Sequence, residues 1–336
     1  MEEMRYRLRN LFRQNKKRAR PSTSSSEEDN GKAKKEDESE DDSGKEIEAE
    51  IIPSPLAEGE MPTYFHVGVL AKECLLTGFK LGAWQLQCLT KSNQDIYIST
   101  FGEGYPTLSS IFGGVDLFKE FGNFSVSLGW LTNNEMLSEM AVRGSQWYAL
   151  LKSTFGKKDG ITLSTKLKCG FERNPVKVEL VVPLYKEPLF LGYVLVAPVE
   201  NWVLGYRTVY NMDNKGFDKH AFCLGFSNGS TELGLKLENF EDLRGSIFQR
   251  IGESWAVALK SNLYSSNNVK QLAVGVQYDF QNGTLLKAKV REDSRIGFVY
   301  QTKIGKNIEV MYHLAFDGND PIKGAHRIGA SWDFYY

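Results

Sequence analysis

Residues 307–317 read Asn-Ile-Glu-Val-Met-Tyr-His-Leu-Ala-Phe-Asp, and residues 327–336 read Arg-Ile-Gly-Ala-Ser-Trp-Asp-Phe-Tyr-Tyr. In both stretches, apolar side chains alternate with smaller or polar ones, which is the two-residue period of a β-strand with unlike faces. Each stretch is about ten residues long, enough for a tilted strand to cross a bilayer. The terminal aromatic residues suit a membrane–water boundary. Together, the two stretches predict a hairpin at the closing edge of a transmembrane β-barrel.

The same alternation recurs upstream as far as residue 79. Hairpin dipeptides, Asp-Gly at 159–160 and Asn-Gly at 228–229 and 282–283, separate several of the runs. We predict about nineteen strands between residues 79 and 336, the first at 79–88. If the count is odd and the sheet closes, the first and last strands must pair in parallel, because hairpins alternate direction.

Alternation by itself also fits a soluble β-sandwich whose apolar face forms a core. Three features favour the membrane. The pattern persists over many strands joined by short turns, and its apolar faces carry large aromatic side chains. The opposite faces carry residues such as Lys166, Lys168, Lys287 and Lys289, which we expect to need water. A barrel of this many strands encloses an aqueous lumen. The fold class is therefore predicted to be an all-β membrane protein.

Charge is distributed unevenly along the chain. Residues 1–20 carry about +6, residues 21–60 about −10 and residues 61–336 about +3. Residues 21–60 have too little apolar area to form a core, so residues 1–60 are predicted to be a disordered charged extension and residues 61–336 the barrel domain. For residues 1–20 two interpretations stay open, a basic helix on anionic lipid or a disordered basic arm.

Residues 62–78 predict a short amphipathic helix ahead of the strands. Val67, Leu70 and Cys74 share one helical stripe, and Ala71 lies beside it. Pro62 stands near the start of the pattern and Gly78 just past its end, as helix boundaries often do. Such a helix needs an apolar surface to rest on.

Basic residues outnumber acidic ones on the predicted water-facing side of the regular strands. A mild positive excess in a wide pore favours anions without excluding cations. The candidate pore-lining cations, including one on the helix, are Lys72, Lys166, Lys168, Arg207, Lys236, Lys260, Lys287, Lys289, Lys303 and Arg327.

Several short segments, taken in order, resemble the eukaryotic mitochondrial porins, the voltage-dependent anion channels. The resemblance covers about residues 62–336. Its segments are Pro62-Thr63-Tyr64, residues 89–92 (Leu-Thr-Lys-Ser), 201–206 (Asn-Trp-Val-Leu-Gly-Tyr), 245–249 (Gly-Ser-Ile-Phe-Gln), 296–300 (Ile-Gly-Phe-Val-Tyr), and the Arg327-x-Gly329-x-x-Trp332-x-Phe334 pattern of organelle barrels.

This resemblance implies a pore of the mitochondrial outer membrane for ATP, ADP, phosphate and other small metabolites, with residues 63–77 as a helix inside the barrel. It implies no required cofactor, but a regulatory nucleotide (NAD or ATP) bound at two adjacent strands. Homo-oligomers are also expected. The nucleotide site maps onto Arg295, Ile296, Gly297, His313, Leu314, Ala315, Phe316 and Asp317.

The chain departs from the family at three positions. Val69 and Thr77 stand where the helix of many members carries lysines, which should weaken anion preference at the constriction. Leu128 stands where many members have a membrane-facing glutamate, so docking of hexokinase is in doubt.

An enzyme is not expected, because His66, His220, His313 and His326 have no metal-ligand spacing and no phosphate loop or nucleophile–base pair is recognised. The sequence predicts a voltage-gated, weakly anion-selective channel. It has lipid and small anionic metabolites as partners, and no nucleic acid. The alternative is a weakly conducting barrel that serves as a platform for a protein partner of residues 1–60. A related protein-import pore fits the motifs less well.

Overall fold

The structure is a computed structural model, and it describes residues 52–53, 55–56, 59–79, 84–104, 111–157, 161–185, 188–265, 271–280, 282–322 and 326–336. A 3₁₀ turn at Tyr64–His66 and a helix α1 at Val69–Leu76 precede the strands. The strands are β1 (Trp84–Lys91), β2 (Ile96–Gly104), β3 (Phe112–Phe121), β4 (Phe124–Leu131), β5 (Glu135–Arg143), β6 (Trp147–Lys157), β7 (Ile161–Arg173), β8 (Val176–Tyr185), β9 (Leu189–Val199), β10 (Trp202–Asn211), β11 (Gly216–Ser227), β12 (Thr231–Glu238), β13 (Asp242–Ile251), β14 (Trp255–Ser265), β15 (Leu272–Phe280), β16 (Thr284–Arg291), β17 (Arg295–Ile304), β18 (Ile308–Asp317) and β19 (Arg327–Tyr335).

The nineteen strands form a single closed sheet in which each strand pairs with its neighbours in sequence. Consecutive strands are antiparallel. The sheet is closed by β1 and β19, which run parallel with Trp84 opposite Ala330 and Leu89 opposite Tyr335. Both the predicted strand number and the parallel closing pair are confirmed. Closure removes the unpaired strand edges that a bilayer could not satisfy.

The two faces of the sheet differ as the alternation predicts. The outer face carries exposed apolar side chains, such as Phe298 and Tyr300 on β17, while Val299 between them is buried in the interior. All six tryptophans of the chain occupy outward positions, and five of them are at least 39% exposed: Trp84, Trp130, Trp147, Trp202 and Trp255. The sixth, Trp332, has the outward parity of the exposed Ile328 on β19. A continuous apolar outer face is what a bilayer requires.

The first strand begins later than predicted, at Trp84 rather than residue 79. Phe79 is instead buried inside the barrel, 4.2 Å from the Lys289 ammonium group and against Gly297. The prediction was wrong there because Phe79, Leu81 and Ala83 alternate in sequence with Lys80 and Gly82, directly before β1, whereas Phe79 belongs to the segment that packs on the inner wall. The predicted extension, residues 1–60, lies outside the described residues except for 52–53, 55–56 and 59–60.

The helix is shorter than the predicted 62–78, because Gly68 separates the 3₁₀ turn from α1 with a φ of 75°. A side chain is disfavoured at this φ, and a Cβ on Gly68 would also lie 2.5 Å from the hydroxyl oxygen of Ser246. The chain therefore bends at Gly68, where it meets the wall. In the described parts of the chain, no helix is long and apolar enough to cross a membrane.

Candidate functional site

The segment from Met61 to Phe79 lies in the interior of the barrel. Its 3₁₀ turn packs on β9 and β10, and α1 packs on β13, β14 and β15. Tyr64 and Val67 form one apolar cluster with the wall residues Tyr193, Leu195, Ala221 and Cys223. Ala71, Cys74 and Leu75 form a second with Phe248, Ala256, Ala258 and Ala273. Of the predicted stripe, Val67 and Cys74 are buried, as is Ala71 beside it, but Leu70 is only partly buried. Leu75, which lies outside the predicted stripe, is buried instead.

A track of inward-facing glycines on the wall follows this segment. A Cβ on Gly225 would lie 3.1 Å from Val67, and one on Gly275 would lie 2.7 Å from Leu75. These spacings are closer than side chains normally allow, so the backbone of the segment approaches the wall only because the wall lacks side chains there. The glycines of the track, with the residue that each faces, are Gly205 (Tyr64), Gly225 (Val67), Gly234 (Gly68), Gly275 (Leu75) and Gly297 (Phe79).

The first turn of α1 is held by a wall carboxylate. Glu232 on β12 accepts hydrogen bonds from the backbone N–H groups of Val69 (3.1 Å), Leu70 (2.8 Å) and Ala71 (3.3 Å). The side chain is buried, 4% exposed. A helix N-terminus has unsatisfied N–H groups and a partial positive charge, so a carboxylate there stabilises it twice over.

The carbonyl groups near the other end of α1 are held by two wall lysines. The Lys287 ammonium group donates to the carbonyl oxygen of Glu73 at 2.8 Å, and that of Lys289 donates to the carbonyl of Leu75 at 3.2 Å. Cations near the C-terminal end of a helix complement its dipole. Both lysines are buried, 4% and 7% exposed. They thus differ from the expectation that they need water, because helix carbonyls replace water around them.

The remaining candidate pore-lining cations fall into two groups. Two of them contact the interior segment: Lys72 donates to the carbonyl of Phe65 at 3.0 Å, and the Lys236 ammonium group lies 5.2 Å from the centroid of the Tyr64 ring. Two contact other wall residues: the Arg207 guanidinium group lies 5.9 Å from the centroid of the Tyr193 ring, and Lys168 pairs with Glu179 at 3.0 Å. Lys260 is buried. The others keep more contact with solvent: Lys166 is partly exposed, and Lys303 and Arg327 are exposed.

The eight candidate nucleotide residues lie on the neighbouring strands β17 and β18, divided between the two faces. Arg295 is opposite Asp317, and Gly297 is opposite Ala315. These four and His313 have the inward parity of Val299. Ile296, Leu314 and Phe316 have the outward parity, and the Phe316 ring stacks on that of Phe298.

The structure shows the contacts or the facing of the three residues at which the sequence departs from the family: Val69, Thr77 and Leu128. Val69 provides one of the N–H groups bound by Glu232, and Thr77 caps α1 with its backbone N–H on the carbonyl of Glu73 at 3.3 Å. Leu128 has the outward parity of Trp130 on β4. An apolar residue at Leu128 is therefore consistent with a lipid-facing position.

The four cysteines are free thiols and also divide between the faces. Cys74 and Cys223 are buried where the interior segment meets the wall. Burial raises the pKa of the Cys74 thiol, which makes it slow to react while α1 is seated. Cys88 and Cys169 have outward parity on β1 and β7 and are half-buried.

The sequence did not predict that Glu232, Glu172 and Lys177 hold the interior segment. Glu172 accepts from the Met61 N–H at 2.5 Å, and Lys177 donates to the Met61 carbonyl at 2.8 Å. One signal was available. An inward glycine, Gly234, follows Glu232 by two residues and marks a place where the wall has room for another chain segment.

A closed barrel with an apolar outer face and a polar-anchored segment in its interior defines a membrane pore rather than an enzyme. The family comparison gives the same result: residues 60–329 match the model of the eukaryotic porin family. The chain belongs to that family, and it is a membrane-embedded channel for small solutes.

Individual relatives are distant in sequence but match over nearly their whole length. The voltage-dependent anion-selective channel of Drosophila melanogaster is 25% identical over 279 residues, covering 80% of this chain and 96% of the relative. The non-selective voltage-gated ion channel VDAC2 of Xenopus laevis is 23% identical over 279 residues, with the same coverage. The non-selective voltage-gated ion channel VDAC3 of Homo sapiens is 23% identical over 282 residues, covering 81% of this chain and 98% of the relative.

Proposed function

We propose that this chain is a voltage-gated, weakly anion-selective channel of the mitochondrial outer membrane that passes ions, ATP, ADP and other small metabolites. The observation that carries the proposal is the position of the segment 61–79, which lies inside the barrel along the inner wall. Its contacts with wall residues such as Glu232, Lys287 and Lys289 are non-covalent, so a shift of the segment that breaks them would change the width of the pore. The relatives' names, which include voltage gating, support the same function.

The weak anion preference is supported by the balance of interior charge. Lys303 and Arg327 are exposed, and Lys166 is partly exposed, so they add positive potential that mobile ions can feel. Lys287 and Lys289 are compensated by helix carbonyls and contribute less. We therefore expect selectivity that is modest and sensitive to salt.

Reconstitution into planar bilayers tests the channel directly. In a potassium chloride gradient we expect large conductance steps, a reversal potential of the sign given by chloride preference, and closure at higher voltage of either polarity. A correctly folded barrel that gives no conductance would exclude the proposed channel. A reversal potential of the opposite sign would exclude anion preference alone.

The proposed location in the mitochondrial outer membrane is supported by the family and by the Arg327 to Phe334 pattern of the last strand. Import of the labelled chain into isolated mitochondria tests it. We expect a carbonate-resistant product that becomes accessible to protease at the outer surface, and a product found only in another membrane would contradict the location.

A regulatory nucleotide, NAD or ATP, is proposed for the inward residues of β17 and β18. Arg295 can pair with phosphate, and it lies within reach of Asp293 (3.5 Å) at the barrel rim. Replacing Arg295 with Gln should abolish any effect of ATP on conductance, whereas Lys303→Gln, on the same strand, should preserve it. An unchanged ATP response in the Arg295 variant would refute this assignment.

The alternative, a platform for a protein partner, is favoured by one observation. Met61 lies beside the turn that follows β7, and turns after odd-numbered strands share one end of the barrel with the C-terminal residue Tyr336. Glu60, which follows the acidic part of the predicted extension in sequence, lies at that mouth beside Arg143. Deleting residues 2–58 separates the two functions: a channel keeps its conductance, whereas a platform loses its partner.

A further inference from the structure

An ion pair on the inner wall forms hydrogen bonds with the backbone of Met61. The Lys177 ammonium group donates to the Met61 carbonyl oxygen at 2.8 Å and lies 2.8 Å from one carboxylate oxygen of Glu172. The other carboxylate oxygen of Glu172 accepts from the Met61 N–H at 2.5 Å. Lys177 and Glu172 therefore bind both polar backbone groups of one residue and also each other.

The neighbouring residue is held by charge as well. The Glu60 carboxylate lies 3.2 Å from the Arg143 guanidinium group on β5 and 3.8 Å from the Lys177 ammonium group on β8. Lys177 is 1% exposed. A buried lysine is stable only when its charge is paired and its donors are satisfied, and here Met61, Glu172 and Glu60 supply those partners.

We propose that Glu172 and Lys177 form a peptide clamp that positions the interior segment, and that the clamp separates residues 1–59 from α1. This inference rests on the proposed gating role of the segment. The clamp binds the chain eight residues before α1 starts at Val69, and the contacts of Tyr64 and Val67 lie between them. If a partner pulls on residues 1–59, the contacts of Glu172 and Lys177 with Met61 must therefore break before α1 can be displaced.

The clamp is tested by the reactivity of the two buried thiols. In a Cys88→Ser, Cys169→Ser background, only Cys74 and Cys223 remain, and both are buried where the interior segment meets the wall. We expect Lys177→Met to raise their labelling rate by a charged maleimide in liposomes at least about tenfold, because loss of one partner from a buried ion pair is costly. Glu172→Gln keeps an acceptor for the Met61 N–H and should raise the rate less, which provides a milder variant if Lys177→Met does not fold.

Two controls distinguish the clamp from a general loss of charge. Lys168→Met removes the ion pair with Glu179 on the same two strands but has no contact with Met61, so its labelling rate should stay within about twofold of the parent. The conservative variant Lys177→Arg keeps a cation that can donate to the Met61 carbonyl and pair with Glu172 and Glu60. Its labelling rate should stay well below that of Lys177→Met.

The readouts separate the clamp from the proposed function. Folded Lys177→Met and Glu172→Gln barrels that label at the parent rate would overturn the clamp, whatever their conductance. Faster labelling together with closure at a lower voltage supports both the clamp and its link to gating. Faster labelling with an unchanged closing voltage supports the clamp as a positioning device and overturns the gating role of the segment.

Discussion

Replacing Glu232 should release α1 from the wall of the barrel. Its carboxylate binds three consecutive N–H groups of the first turn, at 3.1, 2.8 and 3.3 Å. Glu232→Gln keeps an oxygen acceptor and loses the charge, whose interaction with a partly buried helix N-terminus contributes about 1–2 kcal/mol. Glu232→Ala also loses the capping contacts, for a total of about 2–3 kcal/mol.

These energies translate into changes in the population of the undocked helix. About 1–2 kcal/mol corresponds to a factor of roughly 5–30 for Glu232→Gln, and the alanine variant should reach about 30–150-fold. Burial of the Glu232 carboxylate itself costs desolvation energy, and both substitutions remove that cost. We therefore expect the undocked populations to increase by the lower ends of these two ranges.

The assay is the labelling rate of Cys74 and Cys223 in liposomes, which follows the undocked population when docking is fast relative to labelling. Glu238→Gln is the matched control: Glu238 lies on the same strand and face but pairs with Arg244 at 3.6 Å and should leave the rate unchanged. Glu232 variants that form intact barrels and label no faster than the Glu238 control would refute the reasoning.

Three other perturbations test separate parts of the structure. Phe334→Cys should form an intramolecular disulfide with native Cys88 on mild oxidation, because the two positions are register partners in the parallel closing pair. The cross-linked barrel should show a changed mobility on a denaturing gel that reductant reverses, and the absence of a cross-link would contradict closure by β1 and β19. Lys303→Glu should move the reversal potential in a salt gradient toward cation preference, since this exposed cation faces mobile ions; an unchanged potential would count against the interior charge balance. Gly225→Val introduces a side chain whose Cβ would lie only 3.1 Å from Val67 and should speed labelling of the buried thiols at least about fivefold; the parent rate would show that the glycine track does not seat the segment.

The strands were predictable because their signal is local. Alternation in residues 307–317 and 327–336 is set by which face each side chain occupies, and hairpin dipeptides mark the ends of neighbouring runs. The parallel closing pair followed from the odd strand number alone. None of these inferences needs knowledge of a contact distant in sequence.

The interior of the barrel was less predictable because its contacts are distant in sequence. Lys287 and the carbonyl of Glu73 are 214 residues apart, so nothing near Lys287 indicates that a helix carbonyl replaces water around it. Phe79 was assigned to β1 for the same reason, because the alternation of residues 79–83 is visible locally in the sequence whereas the contact between Phe79 and Gly297 is distant. The inward glycines were visible in the sequence and mark the path of the segment once the facing of each strand is known.

The central claim is that apolar side chains face lipid and that the closed barrel encloses the polar interior, and the native tryptophans test it without any substitution. All six lie at outward positions, so bilayers of phosphatidylcholine with brominated acyl chains should strongly quench their fluorescence, while iodide in the aqueous phase should quench it weakly. Emission that resists the brominated lipid but is strongly quenched by iodide would place the tryptophans in contact with water and contradict the account.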